Sequence, residues 1–202
     1  MTGTVHIVDD EEAIRDSLTW MLQSVDLDCR SWESGEAFLD GLPITGPACV
    51  ILDVRMAGLN GLAVFQEMLD RGCNVPVIFL TGHADVPLAV EALKRGAFDF
   101  VEKPFNDHRL LEFVRAALRH HDHLVRAAAN QAEITARLST LTQRERQVLD
   151  LMIRGLMNKQ IAAELDVAVR TVEVHRAHIL EKFGVRSVAE LAGIIASNAT
   201  KG

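Results

Sequence analysis

No apolar run in the 202-residue sequence is long enough to span a bilayer, and the N-terminus lacks the basic-then-apolar pattern of a secretory leader. The expected compartment is the cytoplasm, with no membrane partner. Cysteine is scarce: Cys29, Cys49 and Cys73 show neither metal-ligand nor redox spacing and read as reduced thiols. Gly35, Gly41 and Gly46 form no phosphate-cradling loop. Basic and aromatic residues do not interleave, so nothing points to RNA. Neither glycine nor proline occurs between Pro104 and Gly155. A stretch of that kind, rich in Ala, Leu, Arg, Glu and Gln, forms helix.

Hydrophobic residues make up 49% of the chain, ample for packed cores, and the length suits one large or two small domains. The net charge of −7 hides a split. Residues 1–120 carry 10 Lys and Arg against 19 Asp and Glu, while residues 121–202 carry 11 against 9. An acidic half followed by a mildly basic half implies different partners for the two. The basic excess is too small to argue for nucleic acid by itself.

The run Cys49-Val50-Ile51-Leu52-Asp53-Val54 drives four apolar residues straight into an acid. Flanked by Gly46-Pro47 and Ala57-Gly58, it reads as a strand buried on both faces of a parallel sheet. Val5–Val8, ending in Asp9-Asp10, Val75–Leu80, ending in Thr81, and Phe98–Val101, closed by Lys103-Pro104, are further strands. Leu27–Trp32 is a weaker one. Helical spacing separates them: Ile14, Leu18 and Leu22; a helix capped by Ser34; Leu62, Phe65 and Leu69; and Pro87 to Arg95. Strands and helices alternating about every 20 residues predict an α/β doubly wound, five-stranded parallel sheet. Open sheets of this kind place their chemistry at the carboxyl ends of the strands.

That edge gathers Asp9, Asp10 and Asp53. Two like charges about 4 Å apart repel by about 4 kcal/mol at a protein-like dielectric, so the cluster asks for a hard cation, and Mg²⁺ suits it. Lys103 adds a positive charge and Thr81 a hydroxyl. An acid nucleophile, two metal-binding acids, a hydroxyl and a lysine make a phosphoryl-transfer set, with Asp53 as acceptor. Taken singly, Asp9-Asp10 suits a helix N-cap, Lys103 a surface lysine and Thr81 a turn. Taken together, at the ends of four apolar strands, they do not reduce to those roles.

Val8-Asp9-Asp10, Leu52-Asp53-Val54-Arg55-Met56, Thr81-Gly82-His83 and Lys103-Pro104-Phe105 resemble the receiver domain of two-component response regulators, over residues 4–120. The resemblance implies that a sensor histidine kinase phosphorylates Asp53. It implies Mg²⁺ on Asp10, Asp53 and the backbone carbonyl of Arg55, with Asp9 close behind. Lys103 would pair with the phosphate through a cis Lys103-Pro104 junction. Thr81 would turn toward the phosphate, and Phe100, in the place of the family's switch aromatic, would fill the vacated space. The face made by 87–95 and 98–101 would be the dimer contact. One departure is Ala57, where the family usually has proline; it implies a looser loop beside the acceptor.

A helix from Asp107 toward Leu138 is expected to run on as a linker of roughly 45 Å. Leu110, Val114, Ala117, Leu124, Ala128, Gln131 and Leu138 form a ragged heptad seam, with His121 in a core position, readable as a solvated connector or a weak coiled coil. His120-His121-Asp122-His123 cannot all face one ion from a helix and read as solvated surface.

Beyond Leu141 four short helices follow, 144–154, 158–165, 169–183 and 188–196. Thr142 and Glu145 suit a capping box. In the third helix Val172, Ile179 and Phe183 fall on one face. Arg170, Glu173, Val174, Ala177, His178 and Lys182 face outward, with His175 and Arg176 at the flanks. A face mixing cations with small apolar residues fits the DNA major groove. Arg170, Thr171 and Lys159 add phosphate donors. A helical bundle with a charged face, or a protein-docking module, fits composition equally well. Leu156–Ala162 with Arg170–Arg176 resembles the LuxR/NarL-type helix-turn-helix, and the whole chain resembles a FixJ-type response regulator. Glu173 suits either cytosine or the orientation of a neighbouring arginine.

The organisation expected is a receiver at 1–120, a helical linker at 121–138 and a DNA-binding domain at 139–202. Its function would be that of a phosphorylation-controlled transcription factor, not an enzyme. Phosphorylation would make a homodimer that binds double-stranded promoter DNA and works with RNA polymerase, most simply as an activator. Rival readings are an aspartyl-phosphate phosphatase, which wants an acid where Arg55 stands, and a regulator whose acidic site is vestigial.

Overall fold

The computed structural model describes residues 3–82 and 86–199. The first compact unit ends at Arg126 and the second begins at Ala127. In the first, strands β1 (Thr4–Val8), β2 (Asp28–Trp32), β3 (Ala48–Asp53), β4 (Val77–Thr81) and β5 (Asp99–Glu102) form one sheet in the order β2-β1-β3-β4-β5. Every pairing is parallel. The intervening helices are α1 (Glu12–Gln23), α2 (Gly35–Asp40), α3 (Gly61–Asp70) and α4 (Val86–Lys94).

All six residues of β3 are buried, as its unbroken apolar run requires of a central strand covered on both sides. Side chains alternate between the two faces. Val50 and Leu52 join Phe79 and meet Phe38 of α2 with Val64, Phe65 and Met68 of α3. Cys49 and Ile51 join Ile78 and Leu80 and meet Leu18 and Leu22 of α1. Phe79 is fully buried and packs edge-on against Phe65 at 5.6 Å, so truncation to alanine would cost about 3–5 kcal/mol. Ser34 and Asn60 cap α2 and α3, accepting from Ala37 N–H (3.1 Å) and Ala63 N–H (2.9 Å).

His6 is a buried polar side chain that lies away from the acidic edge. His6 of β1 stacks on Trp32 with ring centroids 6.0 Å apart, and Phe38 meets it edge-on. Trp32 Nε1–H donates to His6 Nδ1 at 3.1 Å.

Helix α5 (Asp107–Ser139) is 33 residues long, as the absence of glycine and proline predicts. Residues of the heptad seam differ in burial within the single chain. Leu110, Val114 and Ala117 are buried in the receiver core, Leu124 is 44% exposed, and Ala128 and Gln131 are exposed. The histidine cluster departs from the expectation of a solvated surface at His121, the position that the seam puts in its core. His121 is buried, and its Nδ1 accepts the Ala48 N–H at 2.9 Å at the start of β3. A 3.6-residue period carries the apolar face of α5 to that position, so one member of the cluster turns inward.

The second unit comprises the end of α5 with α6 (Gln143–Ile153), α7 (Asn158–Glu164), α8 (Val169–Phe183) and α9 (Val188–Ala199). Its core joins Val148, Leu149 and Met152 of α6 to Ile161 of α7, Val172, Ile179 and Phe183 of α8, and Leu191 of α9. Gly184, at φ 66°, ends α8 in the left-handed conformation that glycine adopts without strain.

Candidate functional site

The sheet places Asp9 just after β1, Asp53 at the end of β3 and Thr81 at the end of β4, with Lys103 following β5. Asp9, Asp10 and Asp53 each offer an oxygen within 4.8 Å of the others, and they are the group among the described residues arranged to hold a metal ion. Lys103 Nζ bridges two of them, 2.9 Å from Asp53 Oδ1 and 3.1 Å from Asp9 Oδ2. Asp9 is fully buried, and its other oxygen accepts the Glu11 N–H at 2.9 Å. Arg15 of α1 donates to the Asp9 carbonyl at 2.8 Å. The Lys103-Pro104 peptide is cis, as the resemblance implies.

Electrostatics set these groups apart. Burial raises the Asp53 pKa above the usual carboxylate value; Lys103 opposes the shift, and Asp9 and Asp10 add to it. For Lys103, burial alone would lower the pKa, but its bonds to Asp53 and Asp9 outweigh burial and raise it. The ammonium therefore stays charged. Three acids against one ammonium leave the edge short of positive charge, which is what a divalent cation would supply.

Thr81 is fully buried, and its hydroxyl makes no hydrogen bond. An orphaned buried hydroxyl costs about 1–3 kcal/mol, which fits a donor held for a group that arrives later. Phe100 on β5 is half-buried, lies in register with Phe79 and packs against the core that contains it. His83 lies outside the described residues.

The loop from β3 to α3 is tied at several points. Gly61 N–H donates to Val54 carbonyl oxygen at 3.1 Å, and a Cβ on Gly61 would stand 2.2 Å from the Asp53 carbonyl oxygen. Only glycine permits that approach. Leu59 N–H donates to Glu36 Oε1 at 2.9 Å, and Ala57 N–H donates to Asp10 Oδ2 at 2.9 Å. The departure from proline supplies an N–H, and the N–H makes an anchor.

In the second unit Thr142 and Glu145 form the expected capping box at α6. Lys159, Arg170, Thr171, Glu173, Ala177 and His178 are exposed, Val174 is 42% exposed, and His175 and Arg176 are half-buried. Arg170 Nη1 lies 3.2 Å from Glu173 Oε2, the geometry of an arginine oriented by its neighbour. Lys182 is placed differently from its outward assignment. Its ammonium donates to Glu145 Oε2 at 2.7 Å and to the Thr140 carbonyl at 3.0 Å. Glu145 is buried, and its bonds to Lys182, with some opposition from burial and further help from Thr142, lower its pKa to about 2. The capping-box spacing exposes Glu145 to sequence reading, but its partner lies 37 positions away and leaves no local signal.

An acid acceptor flanked by two more acids, a lysine and an unpaired hydroxyl, joined in one chain to a helix-turn-helix, defines a response regulator with a DNA-binding output. The chain belongs to that family: its residues 5–115 match the response regulator receiver domain, and residues 139–195 match the luxR family of bacterial regulatory proteins. It is 49% identical to the C4-dicarboxylate transport transcriptional regulatory protein DctR of Rhodobacter capsulatus, over 95% of this chain and 98% of that one. Against the transcriptional regulatory protein FixJ of Bradyrhizobium diazoefficiens it is 43% identical, over 94% and 92%. Among solved structures, the response regulator StyR matches with a TM-score of 0.91 at 37% identity, covering 97% of this chain and 99% of that chain. Full-length FixJ from B. japonicum matches with a TM-score of 0.61 at 40% identity over the whole of both chains. No helix among the described residues is long and apolar enough to cross a membrane.

Proposed function

We propose that the protein is a cytoplasmic transcription factor switched by phosphorylation of Asp53. The observation that carries the reading is the pairing of Asp53 with Lys103 beside the orphaned Thr81 hydroxyl. A sensor histidine kinase is the partner that would supply the phosphoryl group. Asp10, Asp53 and the Arg55 carbonyl would hold Mg²⁺, with Asp9 behind them. The ion would offset charge on the incoming phosphoryl group. Lys103, already charged and 2.9 Å from Asp53, would pair with the phosphate. Thr81 would donate its hydroxyl to a phosphate oxygen, and Phe100 would move into the space left behind.

The domain reading is a receiver at 1–120, a linker at 121–138 and a DNA-binding domain at 139–202. Phosphorylated receivers would pair through the face of α4 and β5. Pairing would bring two copies of α8 to half-sites about one helical turn apart on double-stranded promoter DNA. Lys159, Arg170, Thr171, Val174, His175 and Arg176 would contact the DNA, with Glu173 orienting Arg170. RNA polymerase is the downstream partner if the output is activation. The work of the protein is binding and not turnover, and Arg55 stands where a phosphatase of the aspartyl-phosphate kind wants its second acid.

Light scattering on the full chain, with Mg²⁺ and beryllofluoride as phosphate mimic, tests the switch. The expected result is a monomer that becomes a dimer, with Asp53→Ala unresponsive. A mass that ignores the mimic would overturn the reading.

A further inference from the structure

The Ala57–Asp10 hydrogen bond does more than hold a loop. Asp10 is exposed, and it is the acid of the cluster least confined by packing. Asp9 is fully buried and anchored through both oxygens, to Glu11 N–H and to Lys103. Asp53 is buried and anchored through Oδ1 to Lys103. For Asp10 the anchor is the Ala57 amide, at 2.9 Å from Oδ2. An exposed carboxylate free to rotate would meet a cation in few of its rotamers. One fixed by a backbone donor meets it already oriented.

The donor is itself held. Ala57 follows the acceptor strand by four residues. The loop is fixed beyond it by the Leu59 and Gly61 N–H groups, and before it by Val54 N–H, which donates to the Leu80 carbonyl at 3.0 Å. The Glu36 carboxylate that receives Leu59 is held ionised, its pKa lowered by backbone hydrogen bonds, first from its own N–H and then from Leu59. Two hydrogen bonds, Leu59 N–H to Glu36 and Ala57 N–H to Asp10, thus tie the loop at neighbouring points. Each link is a backbone N–H, so the arrangement depends on position 57 having one.

We infer that the Ala57 backbone N–H is a positioning donor for the divalent-cation site: it fixes Asp10 by one oxygen so that the other is presented to the ion. The inference rests on the reading of Asp9, Asp10 and Asp53 as a cation site. It distinguishes Ala57 from any residue lacking an amide hydrogen, since the side chain plays no part.

The test is calorimetric titration of the full-length protein with Mg²⁺ alone, comparing wild type, Ala57→Gly and Ala57→Pro. Glycine keeps the N–H and should bind within about twofold of wild type. Proline removes it and should bind about 10- to 100-fold more weakly, the usual loss when a ligand's supporting hydrogen bond is deleted. Equal or tighter binding by Ala57→Pro would overturn the inference. Absence of Mg²⁺ binding by wild type, or binding unaffected by Asp10→Asn, would instead overturn the cation-site reading beneath it. A second measurement needs no variant. The Ala57 amide proton of wild type, followed by NMR, should stay hydrogen-bonded and slow to exchange as Mg²⁺ is added. Its release on Mg²⁺ addition would mean that the bond competes with the ion, and the inference would be wrong.

Discussion

Acid should loosen the receiver in part through the imidazole of His6. His6 is 3% exposed, and its Nδ1 receives the Trp32 indole N–H. Indole only donates, so the folded ring is neutral with its proton on Nε2. Burial, and then the positive charge of Arg30, lower its pKa from 6.5 to about 4. In the unfolded chain it titrates near 6.5, so between the two values the unfolded state takes up the proton and the folded state refuses it. The contribution is therefore whole above about pH 6.5 and drains away as the pH falls toward about 4. Integrated from pH 7 to pH 5, the loss is about 2 kcal/mol, or roughly thirtyfold in the folding equilibrium. The assay is convenient because the chain has two tryptophans, Trp20 and Trp32, and both lie in the receiver unit. Urea unfolding of the full chain followed by tryptophan emission therefore reports the receiver alone. His6→Phe keeps the ring contacts and cannot titrate. Wild type should lose about 2 kcal/mol more than His6→Phe between pH 7 and pH 5. Parallel pH dependences in the two proteins would refute the reasoning, as would an NMR titration placing His6 near its ordinary value.

Other perturbations separate structural from functional roles. Thr81→Val replaces an unsatisfied buried hydroxyl with a methyl group; receiver stability should hold or rise by about 1 kcal/mol, while the dimerisation induced by beryllofluoride is lost. Gly61→Ala drives a Cβ into the Asp53 carbonyl oxygen and should cost about 1–3 kcal/mol in the same urea assay, with weakened response to the mimic. Arg176→Ala should weaken binding to all DNA sequences alike and reduce the salt slope by about one, as fluorescence anisotropy at several salt concentrations would record. Lys182→Ala should instead leave the salt slope unchanged and lower the melting temperature of the DNA-binding half by calorimetry, because its charge is engaged by Glu145.

The acidic edge was readable because β3 and β4 are unbroken apolar runs that end in Asp53 and Thr81, while the less regular β1 and β5, interrupted by His6 and Asp99, are followed by Asp9 and Lys103. Asp53, Thr81 and Lys103 needed only that pattern and the rule for open sheets. The helix-turn-helix was readable in the same way, from the inward Val172, Ile179 and Phe183. What escaped depended on partners distant in the chain. Lys182 sits beside the buried Phe183, and helical spacing alone could have turned it either way; Glu145, from another helix, decides the matter. Heptad spacing put His121 in a core position while its neighbours read as solvated surface; its partner, the Ala48 N–H 73 positions earlier, left no local signal. Ala57 was noticed for the side chain that was missing, whereas its significance lies in a backbone hydrogen. His6 gave no sign at all, since a strand residue next to apolar neighbours carries no record of the indole that stacks on it.

The tail of α5 has a consequence for where the DNA-reading half begins. Arg137, two residues before that helix ends, donates to the carbonyl of Phe183 and also pairs with Glu133 at 2.6 Å. Phe183 is the last residue of α8, so the guanidinium sits on carbonyl groups that the helix leaves open, at the negative end of its dipole. A fragment starting at α6 would hold every residue of the helix-turn-helix and still lack this lid. The end of α8 is thus closed by a side chain that α5 supplies, and cutting the chain between α5 and α6 would reopen its last carbonyl.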